Sequence, residues 1–241
     1  MDSNNQIENI KHNYNLILEK IKHKALAIGR NPEEINLIAV SKTLSNETIK
    51  SASEAGIKVF GENYVQELKD KYEYLNSIEL IQPEWHFIGH LQTNKVKYIA
   101  PFVSMIHSVD SIHLAVEINK QAQKNERIID ILLQVNTSGE DSKSGCEPKE
   151  VYTLFENCIK FENIKLQGLM TIGSFSYDEN VFRKEFQLLR NLKEELKNKY
   201  SLENFEHLSM GMSHDFEYAI EEGATLVRVG TAIFGQRIYN T

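Results

Sequence analysis

Two cysteines in 241 residues, Cys146 and Cys158, are too few for a disulfide framework, and their spacing matches no metal-binding pattern. Proline is scarce at 4 residues, and no linker or low-complexity tract divides the chain. No apolar run approaches the length of a membrane span, and no charged-then-apolar leader opens the sequence. Positive charge is in deficit: 27 Lys and Arg against 34 Asp and Glu give a formal net charge of -7. That balance disfavours a general nucleic-acid partner. Walker, GxGxxG and GxSxG turns are all missing. The expectation is a globular protein of a reducing, cytoplasmic compartment, with no membrane or nucleic acid among its partners.

What is present is a repeating alternation. Short apolar runs of strand type are INLIAVS (35–41), KVFG (58–61), WHFIG (85–89), MIHSV (105–109), IDILLQVN (129–136), KLQGLMTI (165–172), EHLSM (206–210) and TLVRVG (225–230). Each is followed by a helical pattern, and continuous apolarity suits strands covered on both faces. Eight such units predict an α/β fold, a single (β/α)8 TIM-type barrel making one domain of residues 1–241. A doubly wound sheet, the alternative, would show fewer strands and one Gly-rich fingerprint. Ahead of the first strand, Ile7, Ile10, Tyr14, Ile17, Ile21, Ala25 and Ile28 recur every three or four residues. They predict an extra N-terminal helix over about 5–29, ended by Gly29, that covers the barrel floor or side. Lys11, Lys20, Lys22 and Lys24 would be its wet face. Ser45 and Asp178 are expected to open helices, Gly56 to end one, and Pro148 to sit in a first turn. Cys158 reads as core; Cys146, beside a glycine turn, has no assigned role.

The chemistry lies at the strand ends. Lys42 follows the first strand, on the barrel face where active sites gather. Burial there favours a neutral amine that attacks an aldehyde, although a lysine can also lay its stem on apolar surface and reach water. Ser209, Gly211 and Ser213 follow the seventh strand, with Ser213 a candidate helix N-cap, and Gly230 and Thr231 follow the eighth. These turns sit where barrels bind phosphate through backbone N–H groups and helix dipoles, unless the glycines serve only as tight turns. A ligand with an aldehyde and a phosphate satisfies both ends, and pyridoxal 5'-phosphate is the candidate. Barrel closure puts Arg228 near Lys42, where it meets either a pyridine nitrogen or a core carboxylate. Asn63 either bonds a ring oxygen or caps a helix. Lys143 either attracts an anion or decorates its loop. His86 and His90 share a strand parity, with His107 and Asp110 after the next strand, but HxxxH on a strand lacks helical metal-ligand spacing. No metal is expected.

Seven motifs then occur in order: LIAVSK, FGENYVQE, WHFIGHLQTNK, NTSGEDSKSG, QGLMTIG, LSMGMSHDFEYAI and GATLVRVGTAIFG. From about residue 37 to 237 the chain closely resembles the pyridoxal-phosphate homeostasis protein family, whose barrel is related to the N-terminal domain of alanine racemase. The resemblance implies a barrel that holds pyridoxal 5'-phosphate as an internal aldimine on Lys42. Ser209, Gly211, Ser213, Gly230 and Thr231 match the family's phosphate-binding turns. Arg228 matches the residue facing the pyridine nitrogen, Asn63 one near the ring, and Lys143 a lysine of the same site. Phe216 and His214 depart from the commoner methionine and aspartate.

The related racemases carry a further β-rich domain that supplies a tyrosine acid/base, and no such domain is evident. Racemisation through two bases needs a proton carrier on each face; only Lys42 is evident, and Tyr239, near the end, is a poor candidate. The resulting expectation is a non-catalytic carrier or buffer of pyridoxal phosphate in vitamin B6 homeostasis. It would be monomeric, with apo forms of cofactor-dependent enzymes as recipients. A weak amino-acid racemase, a Schiff-base aldolase and a ligand-free scaffold are the alternatives.

Overall fold

The computed structural model describes residues 3–140, 142–174, 176 and 178–236. Its strands are β1 (Asn36–Val40), β2 (Val59–Glu62), β3 (Glu84–Phe87), β4 (Met105–Val109), β5 (Ile129–Gln134), β6 (Ile164–Met170), β7 (His207–Ser209) and β8 (Leu226–Val229). The helices are α1 (Ser3–Ala27), α2 (Asn46–Glu54), α3 (Val65–Ser77), α4 (Val96–Ile99), α5 (Ile112–Lys124), α6 (Val151–Cys158), α7 (Glu179–Tyr200), α8 (Phe216–Glu221) and α9 (Thr231–Phe234). The strands form a closed barrel in sequence order, and β8 pairs in parallel with β1 from Asn36↔Leu226 to Ala39↔Val229. All eight predicted runs are strands, with ends within two residues of expectation.

Alternation along each strand explains why the runs read as continuously apolar. Leu37 and Ala39 of β1 face the helices and join the large outer core, whereas Ile38 points inward to Met105, Leu132, Met170 and Leu226. Both faces are therefore dry, and a fully buried aliphatic or phenyl side chain contributes about 1.5–3 kcal/mol. Above this inner apolar layer sits a polar one, with His86, His107, Gln134, Ser209 and Arg228 all buried. The mouth lies above that layer.

The N-terminal helix covers the barrel side rather than its floor. It packs on α2, α8 and α9, across the seam where the last unit meets the first. Ile10, Ile17, Ile21 and Ala25 are buried, and Asn13 donates to the Ile233 carbonyl at 3.0 Å. The apolar stripe stops at Ala25, because Ile28 lies beyond the helix and is exposed. Ser45 and Asp178 cap α2 and α7 as expected, accepting from Thr48 N–H at 3.2 Å and Asn180 N–H at 2.9 Å. Pro148 is not in a first turn: α6 starts at Val151, and Pro148 belongs to the preceding turn. Cys146 and Cys158 are buried thiols pushed up to about 12 by burial, which makes them poor nucleophiles.

Candidate functional site

Lys42 stands two residues beyond β1, in a turn braced from both sides. Ser41 N–H still pairs with the Gly61 carbonyl at 3.0 Å, extending the β1–β2 ladder by one bond. The chain then turns through Thr43, whose φ of 64° is left-handed and uncommon for a β-branched residue. Its strain is offset by the Thr43 N–H bond to Glu67 Oε2 at 2.6 Å. On the other side, Lys71 Nζ donates to the Ser41 carbonyl at 2.8 Å and to Glu62 Oε1 at 2.6 Å, and Ser41 Oγ donates to the same carboxylate oxygen at 2.6 Å. Burial pushes the Glu62 carboxyl up, and the adjacent Lys71 ammonium pulls it back. A buried pair of this kind is retained only with near-ideal geometry, and here it fixes the backbone that carries Lys42.

Asn63 follows β2 and does not cap α3, whose N-cap position is Tyr64. Its Oδ1 is buried and has no hydrogen-bond partner among the described residues. Gly89 makes this placement possible: a Cβ there would lie 2.3 Å from the Asn63 carbonyl oxygen. An unpaired buried acceptor costs about 1–3 kcal/mol, so its presence at the mouth is an unmet demand for a donor.

Arg228 points inward from β8 and is fully buried, with its guanidinium lowered to about 10 by burial. Instead of a core carboxylate it contacts two oxygens, donating to Ser209 Oγ at 2.6 Å and to the Thr171 carbonyl at 2.8 Å. Ser209 Oγ also lies 2.9 Å from His107 Nδ1, and His107 Nε2 lies 3.0 Å from His86 Nδ1. Ser209 is thus placed against Arg228 in the polar layer rather than in the mouth. Gly211 is likewise a packing position: its φ is 87°, and a Cβ would fall 2.5 Å from Ala219 Cβ. Asp215, not Ser213, holds the N-cap position of α8, and its carboxylate accepts from Met212 N–H at 2.5 Å.

The remaining expected residues converge. Lys42, Asn63, Ser213, Arg228, Gly230 and Thr231 line one cavity of about 420 Å³, walled on its apolar side by Val40, Ile88, Ile172 and Met212. That size and mixture match sites for small organic ligands. Ile233 and Phe234 both donate to the Gly230 carbonyl, so the earlier N–H groups of α9 have no carbonyl one turn back to bond. Lys143 is half-buried in the loop after β5 and is not part of this wall. His90 is exposed and 4.0 Å from Asp110, apart from the His86–His107 pair. His214 pairs with Asp215 at 3.2 Å, and Phe216 is buried beneath the turn. Tyr239 lies outside the described residues.

Sequence reasoning missed the Ser41–Glu62–Lys71 brace. A signal existed, since Lys71 occupies the buried face of α3 with Leu68 and Leu75, where a lysine needs a partner.

A closed eight-stranded parallel barrel with its candidate ligand residues gathered at one mouth is a TIM-type domain. The family model "Alanine racemase, N-terminal domain" matches residues 6–238. At 16% identity, alanine racemase of Clostridium difficile shares the fold, with a TM-score of 0.75 over 97% of this chain and 58% of its own. The chain belongs to the pyridoxal phosphate homeostasis protein family. The Aquifex aeolicus protein of that name is 48% identical over 92% of this chain and 96% of its own length. That of Escherichia coli is 38% identical over 97% and 99%. PipY of Synechococcus elongatus, solved with PLP bound, is 32% identical, with a TM-score of 0.79 over 89% of this chain and 100% of its own.

Proposed function

We propose that this chain binds pyridoxal 5'-phosphate at the barrel mouth and buffers or delivers it in vitamin B6 homeostasis. The observation that carries the reading is the single cavity shared by Lys42, Asn63 and Arg228, with Ser213, Gly230 and Thr231 on its rim. The residues present fit the group. Asn63 Oδ1 lacks a donor that a ring hydroxyl supplies, and Arg228 offers donors to a pyridine nitrogen. The first N–H groups of α9, with Ser213 on the facing rim, suit an anionic tail, each charge-assisted bond contributing roughly 1.5–3 kcal/mol. When bound, the cofactor supplies an aldehyde that condenses with a primary amine, releasing water. Lys42 presents that amine, its backbone held by the Ser41 and Thr43 contacts.

Carriage rather than turnover is favoured by the wall itself. Lys42 and Arg228 are the titratable side chains among the described lining residues, and racemisation needs a proton carrier on each face of the substrate. Arg228, held by two oxygen acceptors, is no substitute. The recipients would be apo forms of cofactor-dependent enzymes, met by a monomeric protein inside the cell. Titration with pyridoxal 5'-phosphate should give a new visible band in the wild type and none in Lys42→Ala, and added amine should discharge it. Amino-acid α-proton exchange in heavy water clearly above that of free cofactor would replace this reading with an enzymatic one.

A further inference from the structure

The buried pair His86–His107 has no part in the reading above, yet it is joined to Arg228 through Ser209. We propose that His107 is a positioning residue: with His86 it forms a one-directional hydrogen-bond chain that fixes Ser209 as an acceptor and so aims Arg228 at a lone pair on the ligand ring. The inference rests on the cofactor reading only for the identity of that ring.

The direction follows from donor inventory. A guanidinium has donors and no acceptor, so the 2.6 Å contact uses a lone pair of Ser209 Oγ. The one hydroxyl proton of Ser209 then goes to His107 Nδ1 at 2.9 Å. A neutral His107 carries its own proton on Nε2 and donates it to His86 Nδ1 at 3.0 Å. The reverse order would set two donors on the serine oxygen. It would also leave the serine proton without an acceptor among the described residues, in a layer where Ser209 and His107 are fully buried. The chain runs across β8, β7, β4 and β3, so four strand registers must agree for it to form.

Burial keeps the chain neutral. It lowers His86 to about 4 and His107 well below its ordinary value, and His86, Arg228 and His207 further oppose a proton on His107. Asp215 is the carboxylate that acts on Arg228, from the turn before α8. With Ser209 and the Thr171 carbonyl holding one N–H of each terminal nitrogen, the guanidinium cannot swing away. Arg228 lines the mouth, and its guanidinium has further N–H donors beyond those two bonds.

The test compares pyridoxal 5'-phosphate with its 1-deaza analogue, whose ring has no nitrogen to accept from Arg228. His107→Leu should weaken the natural cofactor about 10-fold or more and the deaza analogue by less than about 2-fold. His107→Gln, which can accept from Ser209 and donate to His86, should restore most of the affinity. If His107→Leu does not fold, Ser209→Ala gives the same comparison. Equal losses for both ligands, or a Gln variant as weak as Leu, would overturn the proposal. Nitrogen-15 spectra of the imidazoles in ligand-free protein make a separate check that survives failure of the cofactor reading. Both rings should be neutral at pH 7 with His107 protonated on Nε2; a protonated ring or an Nδ1–H on His107 would also overturn it.

Discussion

Mild acid should destabilise this barrel through His86, by an amount that can be isolated with one substitution. The ring is buried at the hydrogen-bonded polar layer and is lowered from 6.5 to about 4. Between those values the unfolded chain binds a proton that the folded chain refuses, so stability falls as pH drops below 6.5 and levels off below about 4. At pH 5 the unfolded ring is almost fully protonated and the folded ring mostly neutral. The linkage amounts to about 2 kcal/mol relative to pH 7. With a urea slope of about 2 kcal/mol per molar, the midpoint falls by about 1 M from this group alone. Carboxylates also titrate in this range, so the diagnostic quantity is a difference. His86→Gln keeps an acceptor for His107 and removes the proton site. Its urea midpoint should fall about 1 M less than that of the wild type between pH 7 and pH 5. Parallel losses in the two proteins would show that His86 is not held neutral by the fold.

Three further outcomes are expected. Lys71→Met strands the buried Glu62 carboxylate and should cost about 3–5 kcal/mol in urea unfolding, whereas Glu62→Leu combined with Lys71→Met should recover much of that loss. Asn63→Ala removes an unpaired buried acceptor, so the ligand-free protein should melt no lower than the wild type by calorimetry, while its affinity for pyridoxal 5'-phosphate falls about 10-fold. Gly211→Ala forces a Cβ against Ala219 and a strained φ of 87°; unfolding should show a loss of about 2 kcal/mol or more, with weaker cofactor binding because the Met212–Ser213 turn shifts.

The fold was legible because each strand is short, apolar on both faces and punctuated by turns, so INLIAVS or TLVRVG reads as a buried strand without tertiary knowledge. Strand order then brought Lys42 and Arg228 to one cavity, since closure of the barrel joins β8 to β1. What stayed hidden depends on layer height. Ser209 reads in sequence like a phosphate ligand of the turn after β7, but it is the last residue of β7 itself and its hydroxyl accepts from Arg228. His86 and His107 are 21 residues apart, and His107 and Ser209 are 102 apart. Nothing local announces those contacts; they arise from which residue of each strand reaches the same layer. Gly211 and Gly230 look alike in sequence, yet the first relieves packing on α8 and the second opens the wall of the cavity. Lys143 belongs to the loop after β5, whose far end is tied back to Gln134 through Ser144 and Cys146, and it stays outside the cavity wall.

The most direct measurement is a peptide map after borohydride reduction of the protein loaded with pyridoxal 5'-phosphate. A single hydride-stable adduct on the peptide containing Lys42, lost in Lys42→Ala, is the predicted result. Modification of Lys71, Lys143 or another lysine in place of Lys42, or no adduct at all, would contradict it.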